Sequence, residues 1–275
     1  MDARQIPGDM SRFVAHYFGA SGRAWLEQLP EVIASTAGSW GLEIEHPLDG
    51  GLLSCVLAVR RRDGSPAVLK IAGPWAHTRH EALALEHWDG GPAPRLLDFN
   101  ERLSALLLER IWPGDVPAGL PGDQVARLVS ALHATPPANS LIAVLPSLAE
   151  LVEERFVTAG AEAAARSQAD FAALAPNIQR ARIDAAELLG DFAGPCVLVH
   201  GDLEHRNIVR CQRRGLAAID PVPCIGDPAY DAAYWAANGH HATDLEQRCQ
   251  AVAAQASLDP SRVLRWASII ALAQQ

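Results

Sequence analysis

Positive charge is scarce in this chain of 275 residues: 23 Lys and Arg stand against 32 Asp and Glu, a formal net charge of −9. That deficit argues against a nucleic-acid partner, because phosphate backbones are held by clustered Lys and Arg. Long apolar runs are missing as well. No segment reaches the roughly 20 apolar residues that span a bilayer, and the stretch from Met1 to Met10 holds no apolar core of signal-peptide length. The expectation is a cytoplasmic protein without a membrane partner. Cysteine is sparse and unpatterned: Cys55, Cys196, Cys211, Cys224 and Cys249 make an odd count with no C-x-x-C spacing, which fits free thiols in a reducing compartment. His240-His241 has no Cys or acidic residue at a matching ligand spacing, so the pair reads as solvated and no zinc is expected. There is no internal repeat. What is present is ordinary globular composition, 49% hydrophobic and 20% charged, on a chain long enough for two modest domains.

Periodicity divides the chain. Phe13, Val14, Tyr17, Phe18 and then Trp25, Leu26, Leu29, Val32 and Ile33 recur at helical spacing and predict two introductory helices. Leu42 to Glu45 then alternates as a strand, Cys55 to Arg60 is apolar and partly β-branched, and Asp63-Gly64 is a hairpin signal before Ala67-Val68-Leu69-Lys70-Ile71. A helix between Ala76 and Asp89 ends at Gly90-Gly91-Pro92, followed by strand candidates at Arg95 to Phe99 and Leu103 to Leu108. Beyond a turn-rich stretch from Pro113 to Gly122, helical spacing covers Val125 to His133 and nearly everything from Leu148 to Leu189. Short extended segments interrupt it at Cys196 to Val199, Ile208 to Arg210 and Leu216 to Ile219, before helices resume from Ala229. The pattern is an α+β chain with a β-rich N-terminal part, residues 1–112, and a mainly helical C-terminal part, residues 113–275.

Chemistry concentrates in the segment His200-Gly201-Asp202-Leu203-Glu204-His205-Arg206-Asn207. Asp202 sits in a polar loop after a buried-type strand, Asn207 opens the next short strand, and Asp220 ends the one after, where a hairpin would set it beside Asn207. One carboxylate can take the proton of an attacking hydroxyl while an amide oxygen and a second carboxylate hold a hard cation. Taken alone, Asp202 could be a helix or turn cap and Asp220, before Pro221, a turn former; their joint order favours the site.

These residues carry a family resemblance. Val199-His200-Gly201-Asp202 with Asn207, then Ala218-Ile219-Asp220-Pro221 and Gly226-Asp227-Pro228-Ala229-Tyr230-Asp231, resembles the aminoglycoside phosphotransferase family, most closely its streptomycin 6-kinase and hydroxyurea phosphotransferase branch. The resemblance covers roughly residues 40 to 270. It implies a bilobal protein-kinase-like fold, ATP and Mg²⁺, and transfer of a phosphoryl group to a small-molecule alcohol, an aminocyclitol such as streptomycin. A choline-, homoserine- or sugar-type acceptor stays open, as does a nucleotide-binding regulator without turnover.

The resemblance assigns Asp202 as catalytic base and Asn207 and Asp220 as metal ligands. Lys70 matches the strand lysine that meets ATP phosphates, with Glu81, preferred over Glu86, as its partner on the following helix. Gly50-Gly51-Leu52-Leu53-Ser54 takes the place of the nucleotide loop without a full G-x-G-x-x-G, and main chain around Glu109 and Ile111 is expected to meet adenine. Asp227 is expected to accept hydrogen bonds from the catalytic-loop backbone, and His200 to be a packed histidine fixing that loop. Glu204, Asp231 and Trp235 are candidates for a substrate wall, though helix packing explains the aromatic residues equally well. Arg206, beside Asn207, departs from the family pattern and adds charge near the phosphates.

Overall fold

The computed structural model describes residues 6–48, 51–238 and 244–273. His240-His241 and Gly50 of the loop lie outside them. The chain folds as two compact units, Met1–Gly114 and Asp115–Gln275. No helix among the described residues is long and apolar enough to cross a membrane, and all five cysteines are free thiols.

The first unit opens with α1 (Gly8–Tyr17) and α2 (Gly19–Trp40), continues through β1 (Glu43–Pro47), β2 (Ser54–Arg60), β3 (Pro66–Ala72) and α3 (Thr78–Trp88), and closes with β4 (Leu96–Asn100) and β5 (Ala105–Glu109). The strands form one antiparallel sheet in the order β1-β2-β3-β5-β4. Period-two alternation sends Cys55, Leu57 and Val59 of β2, Ala67, Leu69 and Ile71 of β3, and Ala105 and Leu107 of β5 into one core with Met10, Val14, Leu29 and Ile33 of the introductory helices. Lys70, between Leu69 and Ile71, therefore leaves from the opposite face. The β2–β3 turn follows from its chemistry: Gly64 takes a left-handed φ of 79°, and the Asp63 carboxylate accepts the Ser65 amide at 3.0 Å.

The second unit contains α4 (Gly122–Leu132), the single turn α5 (Asn139–Ile142), α6 (Leu148–Arg166), α7 (Gln168–Gly190), β6 (Val197–Val199), β7 (Ile208–Cys211), β8 (Gly215–Ala218), β9 (Cys224–Gly226), α8 (Ala229–Ala237), α9 (Leu245–Ala256) and α10 (Pro260–Leu272). The continuous helical reading of Leu148 to Leu189 resolves into a hairpin. Ser167, at φ −166° and ψ 160°, ends α6 and caps α7, its hydroxyl accepting the Asp170 amide. Ser147 and Glu150 form a reciprocal capping box at the start of α6. Two short antiparallel ribbons, β6–β9 and β7–β8, stand among the helices. β9 has no counterpart in the sequence reading, because three residues are too few to show a period. α8 is buried from Ala229 to Ala236, which its Ala-rich sequence allows by keeping neighbouring helices close.

Candidate active site

In the first unit the register of β3 presents Lys70 to α3, where Glu81 lies in the first turn. Lys70 Nζ donates to Glu81 Oε1 at 2.7 Å and Oε2 at 2.8 Å, with side-chain exposures of 9% and 8%. Burial this deep is tolerable because each charge has the other as counter-ion. Glu86, the competing candidate, is exposed. Ser54 starts β2 and is buried, while the adjoining loop is pinned from outside: Trp75 Nε1 donates to the Leu53 carbonyl at 3.0 Å, and the Trp75 ring stacks on Phe18. At the end of β5 the Glu109 amide donates to the Arg95 carbonyl at 2.8 Å and its carboxylate accepts the Arg95 amide. Glu45 accepts Arg110 at 2.6 Å and Arg60 as well, fixing the chain between Glu109 and Ile111. The Arg110 and Arg60 guanidiniums hold the Glu45 carboxyl below its usual range.

In the second unit β6 delivers the chain into the loop His200–Asn207. Gly201 has φ 79°, and a Cβ there would come within 2.0 Å of the Val222 carbonyl oxygen, so only glycine fits. The loop hangs on Asp231 of α8, whose Oδ2 accepts the His200 amide and whose Oδ1 accepts the Gly201 amide, both at 2.9 Å. His133, just past α4, meets the same carboxylate at 2.9 Å. Burial pushes the Asp231 carboxyl up, but the His133 bond and charge and the His200 contacts outweigh it and leave the group below its usual value. His200 is fully buried. Its Nδ1 accepts the Asp202 amide at 3.3 Å and its Nε2 faces the Ile219 carbonyl at 3.0 Å, which selects the neutral tautomer protonated on Nε2. Burial lowers its pKa.

Asn207 closes the loop. Its Nδ2 donates to the Asp202 carbonyl at 2.9 Å and to Asp202 Oδ2 at 2.8 Å. Both partners are acceptors, which sets the orientation of the amide and turns Oδ1 away from Asp202. The register Ile208↔Ala218 continues as a bond from the Ile219 amide to the Asn207 carbonyl at 2.8 Å, so Ile219 pairs with Asn207 and Asp220 is the next residue along the chain. Asp220 itself holds a left-handed φ of 56°, a conformation that costs a non-glycine residue about 1 kcal/mol or more. Among the described residues no group of three or more His, Cys, Asp or Glu side chains is placed to hold a metal ion. Asn207 and Asp220 offer an amide and a carboxylate oxygen, the ligand types a hard cation takes.

Three assignments change. Asp227 does not carry the loop backbone: its Oδ1 accepts the Ala229 amide at 2.9 Å and its Oδ2 accepts Arg262 Nε and Trp266 Nε1, binding α10 to the start of α8. The loop amides go to Asp231, one helical turn farther on, because that position faces the end of β6. Asp231 and Trp235 are 0% and 1% exposed, which removes both from a substrate wall. Glu204 keeps 21% side-chain exposure, and burial together with the Asp202 charge raises its pKa. Arg206 is exposed and folds back so that its Nε donates to Glu204 Oε1.

Two site residues escaped the sequence reading. Arg155 of α6 donates through Nη2 to the Gly201 carbonyl at 2.6 Å and to Asp202 Oδ1 at 3.1 Å, and through Nη1 to the Tyr234 hydroxyl. His133 is the other. A signal existed for both: Arg155 falls four residues after Leu151 and three after Val152 on the apolar stripe of α6, and His133 follows α4 four residues after Val129, in line with its apolar stripe, where a polar group needs a buried partner.

The α+β architecture and the loop chemistry define a kinase-like phosphotransferase. A family model described as aminoglycoside/hydroxyurea antibiotic resistance kinase matches residues 40–273, and the chain belongs to that family. It is 31% identical to a hydroxyurea phosphotransferase from Kitasatospora aureofaciens over 95% of this chain and 76% of that protein. It is equally 31% identical to the streptomycin 6-kinase of Streptomyces griseus, over 84% of this chain and 74% of that protein. Among solved structures, a choline/ethanolamine kinase family protein from Mesorhizobium loti matches with a TM-score of 0.61 at 14% identity, covering 88% of this chain and 83% of that one, a likeness of fold.

Proposed function

We propose that this chain transfers the γ-phosphoryl group of ATP, with Mg²⁺, to a hydroxyl of a streptomycin-like aminocyclitol. The observation that carries the reading is the bridge from Asn207 to Asp202. One amide holds the proton acceptor through Nδ2 and offers Oδ1 for a cation, and Asp220, the residue after the backbone partner Ile219, serves in this reading as the second oxygen ligand. Bound there, Mg²⁺ would neutralise charge developing on the phosphate oxygens.

In this reading the second unit contributes the chemistry. Asp202 orients the acceptor hydroxyl and takes its proton as the new oxygen–phosphorus bond forms; the bond from Pγ to the bridging oxygen breaks, and its electron pair leaves with ADP. His200, neutral and buried, holds the Asp202 amide, and Asp231 holds the two amides before it, so the base needs no reorganisation during the reaction. Glu204, partly exposed and three residues before Asn207, meets a cationic group of the acceptor in this reading through the carboxylate oxygen that Arg206 Nε does not hold.

The first unit contributes binding. Lys70, steadied by Glu81, contacts phosphate oxygens; main-chain amides of the Gly51 to Ser54 loop and the Ser54 hydroxyl cover them; main chain near Glu109 and Ile111 meets adenine. Since the Glu109 amide already serves Arg95, the adenine contact there runs through other main-chain groups of the segment.

The relatives' names support the acceptor class, and the conjunction of Asp202, Asn207, Asp220 and Lys70 supports the reaction type. The test is ADP release with Mg-ATP across streptomycin, other aminoglycosides, hydroxyurea and small alcohols such as choline and homoserine. Stimulation by streptomycin supports the assignment; stimulation by choline or homoserine alone replaces the acceptor; ATP binding without turnover on any of them favours a regulator. Asp202→Ala is expected to cut turnover on the order of 10²–10⁴-fold with ATP binding largely kept. Turnover at the wild-type rate would remove Asp202 as the base.

A further inference from the structure

We propose that Arg155 is a positioning residue for the transfer, holding the Asp202 carboxylate in the one orientation in which it can receive the acceptor's proton. The inference rests on the reading of Asp202 as the base.

The geometry is that of a two-sided grip. Asn207 Nδ2 holds Asp202 Oδ2 at 2.8 Å from the far end of the loop, and Arg155 Nη2 holds Oδ1 at 3.1 Å from α6, a helix 47 residues earlier in the chain. Rotation of the carboxylate breaks both bonds together. Each oxygen keeps a further lone pair, so the grip leaves room for the acceptor hydroxyl. The same Nη2 bonds the Gly201 carbonyl at 2.6 Å, which couples the side chain of Asp202 to the left-handed glycine before it. Nη1 reaches the Tyr234 hydroxyl, and the guanidinium carbon lies 4.4 Å from the centroid of the Tyr234 ring. Arg155 thus joins α6, the loop and α8 at a single cation. Lysine cannot reproduce this, because one ammonium is a point donor while the planar fork reaches three acceptors in fixed directions.

Stability alone does not explain an arginine here. Its Nε is buried with no hydrogen-bond partner among the described residues, an arrangement that costs about 1–3 kcal/mol. The neighbouring positions Leu151, Val152 and Phe156 are apolar and buried, so an apolar residue at 155 would continue the stripe without that penalty. Holding a carboxylate in place is what an apolar residue cannot do, and a local cost borne next to a proposed base is the mark of a functional constraint.

The experiment compares Arg155→Ala, Arg155→Lys, Asp202→Ala and the Arg155→Ala/Asp202→Ala double variant, with streptomycin or hydroxyurea as acceptor and urea midpoints recorded for each. Arg155→Ala is expected to lower kcat about 10- to 100-fold while KM for ATP stays within about twofold, since misplacing a reacting group by an ångström has an effect of that size. Arg155→Lys recovers little of it. Guanidinium chloride at low millimolar concentration restores part of the activity of Arg155→Ala, and methylammonium chloride at the same concentration does not. In the Asp202→Ala background the second substitution changes kcat less than about twofold, because a positioning residue acts only through the group it positions. Wild-type kcat in either single Arg155 variant overturns the proposal, as do multiplicative losses in the double variant or equal rescue by both salts. If Arg155→Ala does not fold, Arg155→Lys, which keeps stem and charge, decides alone. Wild-type turnover in Asp202→Ala overturns the reading of the base instead, and a wild-type protein inactive on both acceptors overturns the function and this inference together.

Discussion

Replacing Lys70 by methionine separates the weight of the Lys70–Glu81 pair in the fold from the part in binding phosphate proposed for it. The substitution keeps the length of the side chain and most of its apolar stem, and removes one charge from a pair whose members are 9% and 8% exposed. Glu81 is then left as a carboxylate under α3 without the cation that gripped both of its oxygens. Breaking a buried pair from one side costs about 3–5 kcal/mol, whereas an exposed pair is worth roughly 0–1 kcal/mol. At a urea m-value of about 1.5 kcal/mol/M, suitable for a unit of this size, the loss lowers the unfolding midpoint by roughly 2–3 M. Because two units can unfold separately, the transition to follow is that of the first unit, which holds Trp25, Trp40, Trp75, Trp88 and Trp112. Lys70→Met/Glu81→Leu removes both charges and should recover most of the lost stability, since a buried pair replaced by apolar groups is often neutral. The double variant should nevertheless stay without phosphoryl transfer, because it lacks the cation proposed to meet the phosphates. A midpoint for Lys70→Met within about 0.5 M of the wild type, or a double variant no more stable than the single one, would refute the view that burial makes this pair interdependent.

Two other perturbations probe the loop. Gly201→Ala forces a Cβ to within 2.0 Å of the Val222 carbonyl at φ 79° and should cost at least about 2 kcal/mol and all measurable turnover; an alanine variant with a wild-type melting temperature would contradict the close approach. His200 has a folded-state pKa below its unfolded value, so its contribution is complete above about pH 6.5 and is lost as pH falls through that value toward the folded one; His200→Gln should flatten the decline of stability between pH 7 and 5, and an unchanged slope would place the titration elsewhere.

How much of this was legible in one dimension depends on range. The strands around Lys70, the Asp63-Gly64 turn and the order of Asp202, Asn207 and Asp220 are local patterns. Alternation, a turn dipeptide and a short loop between two strands need no distant partner to be read. The hairpin that pairs Ile219, the residue before Asp220, with Asn207 is equally local, since β7 and β8 are joined by a short turn and the register follows from it.

The partners across helices were not legible in that way. Asp227 and Asp231 lie four residues apart in the same run, and the sequence offered no means to tell which carries the loop and which caps the helix. Packing decided it: the loop amides meet the side chain facing the end of β6, while Arg262 and Trp266 of α10 claim the other. For Trp235 a substrate wall and helix packing read equally well in sequence, and burial of α8 from Ala229 to Ala236 decides for packing. Arg155 reaches Asp202 over 47 residues through a contact that no spacing rule encodes. What the sequence by itself determined was therefore the five-stranded sheet, most of the helices and the order of Asp202, Asn207 and Asp220, each of which rests on short-range backbone and side-chain preferences. Only the tertiary structure decided which buried charge answers which, because a carboxylate or guanidinium removed from water must be met by whatever partner the fold brings to it, however far along the chain that partner lies.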